Sequence, residues 1–237
     1  PERAGTIVSE LIDTAVAPHR GPVFADFPLD RFGPTSGPVP APSPDRGRGG
    51  AADPELVAEV AAALRDAERP ALIVGSDAYH AGAGDALAAV AAHFDLPVIA
   101  NGLGRGLLPA DDERAFMRVR GVLKQRADVV VVIGTPLDFR LGFGTFGDAR
   151  VIHLVDHESQ RAEHVAVTSI AADLAATLAD LAEQPGAEHS GWLHELTDIE
   201  QAAVAAEADA LAAGGDVIKP SRVYGELRKR LERDAVV

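Results

Sequence analysis

Ala127-Asp128-Val129-Val130-Val131-Val132-Ile133-Gly134 is the stretch that decides the fold. Its five central residues are all β-branched, and such side chains suit the pleated, packed surface of a sheet. A strand apolar on both sides must be covered on both sides, as happens in the middle of a parallel sheet. Asp128 and Gly134 bound the run, which is too short for a helix.

Working outward, the same unit recurs on either side. Apolar strands are expected at 70–74, ending at Gly75, and at 96–100, ending at Asn101-Gly102. Two more follow at 151–155, ending at Asp156, and at 165–170. Helical spacing of apolar residues fills the gaps at 55–67, 81–93, 119–126 and 173–183. Asp53-Pro54 supplies an N-cap and a first helical residue for the first of these. Strands alternating with helices imply parallel, right-handed βαβ units. The fold class is therefore α/β: a doubly wound parallel sheet, Rossmann-like, with a helical C-terminal extension.

The flanks read differently. Residues 2–17 place Ala4, Ile7, Val8, Leu11, Ile12 and Ala15 at helical spacing, and Gly21 to Pro28 reads as a short, mostly apolar strand. One helix and one strand cannot bury a core alone, so 1–32 is expected to be the tail of another domain. Residues 33–53 carry Pro34, Pro38, Pro40, Pro42, Pro44, Gly47, Gly49 and Gly50, which is linker composition. The expected division is 1–32, a linker at 33–52, the α/β domain at 53–186 and a helical linker at 187–237. That last part holds a long acidic helix at 192–213 and another at 222–233. Ala235-Val236-Val237 resembles the start of a further strand.

Composition narrows the function classes. The 237 residues are 47% hydrophobic and 24% charged, with net charge −14 and no cysteine. Disulfides, thiolate nucleophiles and Cys-ligated zinc are excluded within the chain. So acidic a surface repels a nucleic-acid backbone and an anionic membrane. No apolar run is long enough to span a bilayer. A cytoplasmic setting is expected, with no nucleic acid and no membrane as partner.

In open α/β sheets, ligands sit outside the carboxyl ends of the strands. Those ends here read Gly75-Ser76-Asp77, Asn101-Gly102-Leu103-Gly104-Arg105-Gly106, Gly134-Thr135-Pro136-Leu137-Asp138-Phe139-Arg140 and Asp156-His157-Glu158. Glycine permits close approach to a phosphate or flat ring. Arginine pairs bidentately with a diphosphate. A strand-end carboxylate accepts ribose hydroxyls. Together these four strand ends are the parts of an adenine-nucleotide site. Asp156 serves equally as a helix cap, a glycine placed like Gly75 is more often a plain turn residue, the glycines of 102–106 also suit a loop, and Arg140 also reads as a solvated surface residue. His153, His157 and His164 cluster without the HExxH pattern, and neither a GxSxG elbow nor a Walker A loop occurs. No catalytic or metal-ligating residue is assigned.

The string Gly21-Pro22-Val23-Phe24-Ala25-Asp26-Phe27-Pro28-Leu29-Asp30 resembles the end of the pyrimidine-binding domain of thiamine-diphosphate enzymes. Residues 69–75, 96–109 and 127–140 resemble the successive strands and loops of that family's central domain. Residues 218–237 resemble the lead-in to its diphosphate-binding domain. Acetolactate synthase is the type that the set resembles. The resemblance implies a parent that decarboxylates a 2-oxo acid such as pyruvate and joins the fragment to a second one. It implies thiamine diphosphate and Mg held outside this chain, the activating glutamate lying before Pro1 and the Gly-Asp-Gly…Asn-Asn motif after Val237. The chain alone is then expected to be catalytically inert, with missing flanking domains as its partners and a homo-oligomeric parent. For the central domain it implies FAD, as in the synthases, with Gly75, Gly102, Gly104, Arg105, Gly134, Asp138, Arg140 and Asp156 as the candidate residues beside the nucleotide. The alternative is ADP or the CoA nucleotide, as in oxalyl-CoA decarboxylase and 2-hydroxyacyl-CoA lyase, and a third option is no ligand. Pro136-Leu137-Asp138-Phe139-Arg140 departs from the synthases' Arg-Phe-Asp-Asp-Arg, and Leu141-Gly142-Phe143-Gly144 is nearer the CoA-lyase branch. An NAD-dependent dehydrogenase is disfavoured because GxGxxG is absent.

Overall fold

A computed structural model describes residues 3–28, 49–232 and 235. Its centre is a six-stranded, wholly parallel sheet in the order β3-β2-β1-β4-β5-β6. The strands are β1 (Pro70–Val74), β2 (Val98–Ala100), β3 (Ala115–Phe116), β4 (Val129–Ile133), β5 (Arg150–Val155) and β6 (Thr168–Ala171). Every residue of β1 and β4 is buried, as a strand covered on both faces requires.

Side chains alternate between two cores. On one face Leu72, Val74, Val131, Ile133, Ile152 and Leu154 meet α2 (Pro54–Asp66), α4 (Gly84–His93) and α6 (Leu174–Ala182). On the other, Ala71, Ile73, Val130, Val132 and Val151 meet α5 (Arg120–Arg126) and the start of α7 (Ser190–Ala212). Leu64, Leu87, Phe94 and Leu178 are fully enclosed. Each such side chain contributes about 1.5–3 kcal/mol relative to exposure.

Polar residues set the edges of these elements. Asp53 caps α2 by accepting from the Glu55 N–H at 2.8 Å, and Asp173 caps α6 through Ala176 N–H at 2.8 Å. Asp128 accepts from the Glu68 and Arg69 N–H groups at 2.7 and 2.9 Å, tying the entry of β4 to that of β1. Trp192 of α7 is buried, and its indole N–H donates to Pro70 O at 3.1 Å.

Several sequence expectations shift. Residues 21–28 run without ladder partners rather than as a strand, because the sheet's two edges are β3 and β6 and neither pairs with them. The helix expected at 81–93 begins at Gly84, as α4, after Gly82 at φ +70°, and the short helix α3 (Ser76–His80) before it was not anticipated. The strand expected at 96–100 begins at Val98, after Pro97, which has no N–H to donate. The strand expected at 165–170 lies at 168–171, and the two-residue edge strand β3 was not anticipated. The last helix, α8 (Pro220–Arg228), is shorter than 222–233. The N-terminal helix α1 (Ala4–Val16) forms as expected and buries none of its residues. The Pro-rich residues 33–48 and the terminal Val236-Val237 lie outside the described residues.

Candidate functional site

Chain connections leave β1 and β4 in opposite directions across the sheet, so the crevice at their carboxyl ends is the topological switch point. Gly75 leaves β1 and donates its N–H to Ile133 O at 2.9 Å, and Asp77 donates its backbone N–H to Gly134 O at 3.0 Å. The first turn of α3 is thereby hooked over the end of β4. A Cβ on Gly75 would come 2.3 Å from Thr135 Cβ, and one on Gly104 would come 2.4 Å from Val74 O. Gly134 takes φ +59°, and its Cβ would lie 2.5 Å from Ala78 N. The chain's own backbone therefore demands glycine at these three positions. Gly102, at φ +53°, lies beside Ser76, whose hydroxyl accepts the Leu103 N–H at 3.2 Å. Buried Asn101 donates through Nδ2 to Thr135 Oγ1 at 3.0 Å, linking the ends of β2 and β4 across β1.

Above this turn two carboxylates face one imidazole. Asp156, at the end of β5, accepts the backbone N–H of His19 on Oδ2 at 2.5 Å, while its Oδ1 is buried with no hydrogen-bond partner. The His19 ring Nδ1 lies 3.3 Å from Asp77 Oδ2. One ligand atom from each of His19, Asp77 and Asp156 falls within 4.8 Å of the others. Asp77 is 8% exposed, and burial, reinforced by the charge of Asp156, holds its pKa above the ordinary carboxylate value. His19 adopts φ +58°, an uncommon conformation for a residue with a Cβ.

The eight candidate residues do not converge on one point. Gly75, Gly102, Gly104, Gly134 and Asp156 gather around the start of α3. Asp138 and Arg140 instead pair with each other. Asp138 caps the 3₁₀ turn Phe139–Gly144 through the Arg140 N–H at 2.9 Å and accepts the guanidinium at 2.6 Å. That pairing lowers the Asp138 pKa and raises that of Arg140. Arg105 lines a cleft beside β2 and β3, which Gly104 also borders. The three clustered histidines have structural partners. Buried His153 faces Thr135 O at 3.0 Å through Nε2, His164 faces Leu137 O at 2.9 Å, and His157 Nδ1 accepts the Ser159 N–H at 3.2 Å. Burial lowers the His153 pKa.

His19 and Asp77 escaped selection from sequence. Asp77 stands two residues past Gly75, a legible signal. His19 is separated from Asp156 by 137 positions, and nothing local marks it.

A family model described as the thiamine pyrophosphate enzyme central domain matches residues 57–181, a span that contains all eight candidates. The chain belongs to this family. Over its whole length this central-domain chain is 36% identical to the acetolactate synthase large subunit IlvG of Mycobacterium tuberculosis, of which it covers 44%. It is 28% identical over 199 residues to 2-hydroxyacyl-CoA lyase 2 of Caenorhabditis elegans, covering 77% of this chain and 31% of the lyase. In fold it matches the crystal structure of benzoylformate decarboxylase from Polynucleobacter necessarius. The TM-score there is 0.63 at 23% identity, over 81% of this chain and 38% of the other. The chain thus spans under half the length of these relatives.

Proposed function

We propose that this chain is the central-domain portion of an acetolactate synthase-type enzyme and that its strand-end face holds an adenine nucleotide. The observation that carries the nucleotide reading is Asp156. Its Oδ1 is buried without a donor at the switch point, where a ribose hydroxyl would satisfy it. His19 shares that carboxylate and would flank the sugar. The parent decarboxylates a 2-oxo acid such as pyruvate and joins the fragment to a second 2-oxo acid. Thiamine diphosphate with Mg supplies that carbon chemistry, bound by residues outside this chain. This chain contributes scaffold and pocket and by itself turns over no substrate. Its partners are the flanking domains and further copies in a cytoplasmic homo-oligomer. Phe24, Val217 and Ile218, between 73% and 87% exposed, are the surfaces on which flanking domains would rest. Among the described residues no helix is long and apolar enough to cross a membrane.

A second reading, a scaffold domain without ligand, is favoured by one fact. The space beside Gly75, Gly104 and Gly134 is filled by the chain itself. A thermal-shift series with FAD, ADP, CoA and NAD separates the readings. A ligand at about 100 times its dissociation constant stabilises by about 2.7 kcal/mol. Stabilisation by FAD supports the synthase parent, and stabilisation by ADP or CoA supports the lyase branch. A cooperative transition that none of the four moves supports the scaffold.

A further inference from the structure

The sequence holds 36 acidic and 22 basic residues, so carboxylates are in surplus and a guanidinium ordinarily finds one. Arg114 pairs with Asp95, Arg118 with Glu200 and Glu207, Arg126 with Glu195, Arg140 with Asp138, Arg150 with Glu59 and Arg161 with Glu158. Among the described residues Arg3, Arg20, Arg105, Arg120 and Arg228 have no such partner, and Arg105 and Arg120 line the same cleft of about 1080 Å³ beside β2 and β3. Arg120 is partly buried, and among the described residues its side chain makes one hydrogen bond, a 3.3 Å donation to Ala100 O, leaving most of its five N–H donors open. Arg228 of α8 reaches the same cleft, and Asp111 stands among its lining residues.

Two neighbouring cations, one of them losing hydration, repel each other and gain nothing from the fold that holds them together. Desolvation and the adjacent Arg105 charge both lower the Arg120 pKa. An anion between them reverses that balance, and guanidinium forks match phosphate oxygens bidentately. Leu108, Phe116 and Met117 give the wall an apolar part. The volume is that of a ligand-sized pocket rather than of a lone ion. We infer that this cleft binds the phosphate or diphosphate group of an organic molecule, held by Arg105 and Arg120, with the molecule's apolar body against Phe116 and Met117. The inference rests on the nucleotide reading only for one source of that phosphate: the nucleotide's own diphosphate, or a second phosphorylated compound.

The test is calorimetric titration of the chain with inorganic diphosphate at low salt. Saturable binding is expected, weakened about tenfold or more by Arg120→Gln and by Arg105→Gln, as loss of a charge-assisted contact implies. Arg126→Gln, which removes the same charge outside the cleft, should bind as the unaltered chain does. Arg105 is exposed, so its variant keeps the test valid if Arg120→Gln fails to fold. Absence of saturable binding would overturn the inference, as would arginine variants that bind as well as the unaltered chain. ADP, titrated in parallel, identifies the source. If Arg120→Gln weakens ADP as well, one nucleotide supplies the phosphate. If it weakens diphosphate but not ADP, the cleft serves a second compound. If diphosphate binds as expected and no nucleotide does, the arginine site stands and the switch-point reading falls alone.

Discussion

Replacing Gly134 with alanine tests the close crossing on which the switch point is built. Two costs combine there. The residue sits at φ +59°, where a Cβ costs about 1–2 kcal/mol. The new methyl would also lie 2.5 Å from Ala78 N and 2.9 Å from Leu174 Cδ1. The first of those atoms is backbone of α3 and cannot rotate away, so overpacking adds about 1–3 kcal/mol. Gly106→Ala isolates the first cost, because Gly106 takes φ +94° with nothing within 4 Å of its would-be Cβ. Urea unfolding of both variants should therefore show Gly134→Ala less stable than Gly106→Ala by about 1–3 kcal/mol. Such a gap is a sizeable part of the roughly 5–15 kcal/mol that holds a domain folded. Equal losses in the two variants would refute the hooked geometry of α3 over β4.

Two further outcomes are expected. The Asp77 pKa is raised above 3.8 by burial, so the native state holds that proton more tightly than the unfolded chain. Stability should fall as pH rises from 3.8 through the raised value, and Asp77→Asn should flatten that fall in melting curves. A variant as pH-dependent as the parent would contradict the assignment. Trp192→Ala should cost about 3–5 kcal/mol in urea unfolding, because α7 is anchored in the core by that ring. A loss under about 1 kcal/mol would detach α7 from the core.

The fold was legible where one signal dominates. The β-branched run 129–133 and the Pro70–Val74 strand have no polar face, so periodicity had only one solution. The misread elements are those whose state depends on partners. Residues 21–28 are apolar enough for a strand, but a strand exists only where a neighbour presents an edge. β3 is two residues long and owes its pairing to β2. The glycines were found by their positions after strands, yet their reason proved to be backbone contact at Gly75, Gly104 and Gly134. Asp138 and Arg140 were legible only as candidate nucleotide contacts, and their mutual salt bridge was not legible, since side-chain direction in a 3₁₀ turn is set by local dihedrals. Arg120 went unnoticed because its meaning lies in the carboxylate it lacks, and only the structure shows which arginines are paired.

Amide chemical-shift mapping during an ADP titration tests whether the carboxyl-end face of the sheet holds a nucleotide. Saturable shifts are expected, confined to residues 75–77, 101–106, 134–135 and 156, with His19 moving alongside Asp156. Saturable shifts centred on another face, or a spectrum unchanged at millimolar ADP, would contradict that expectation.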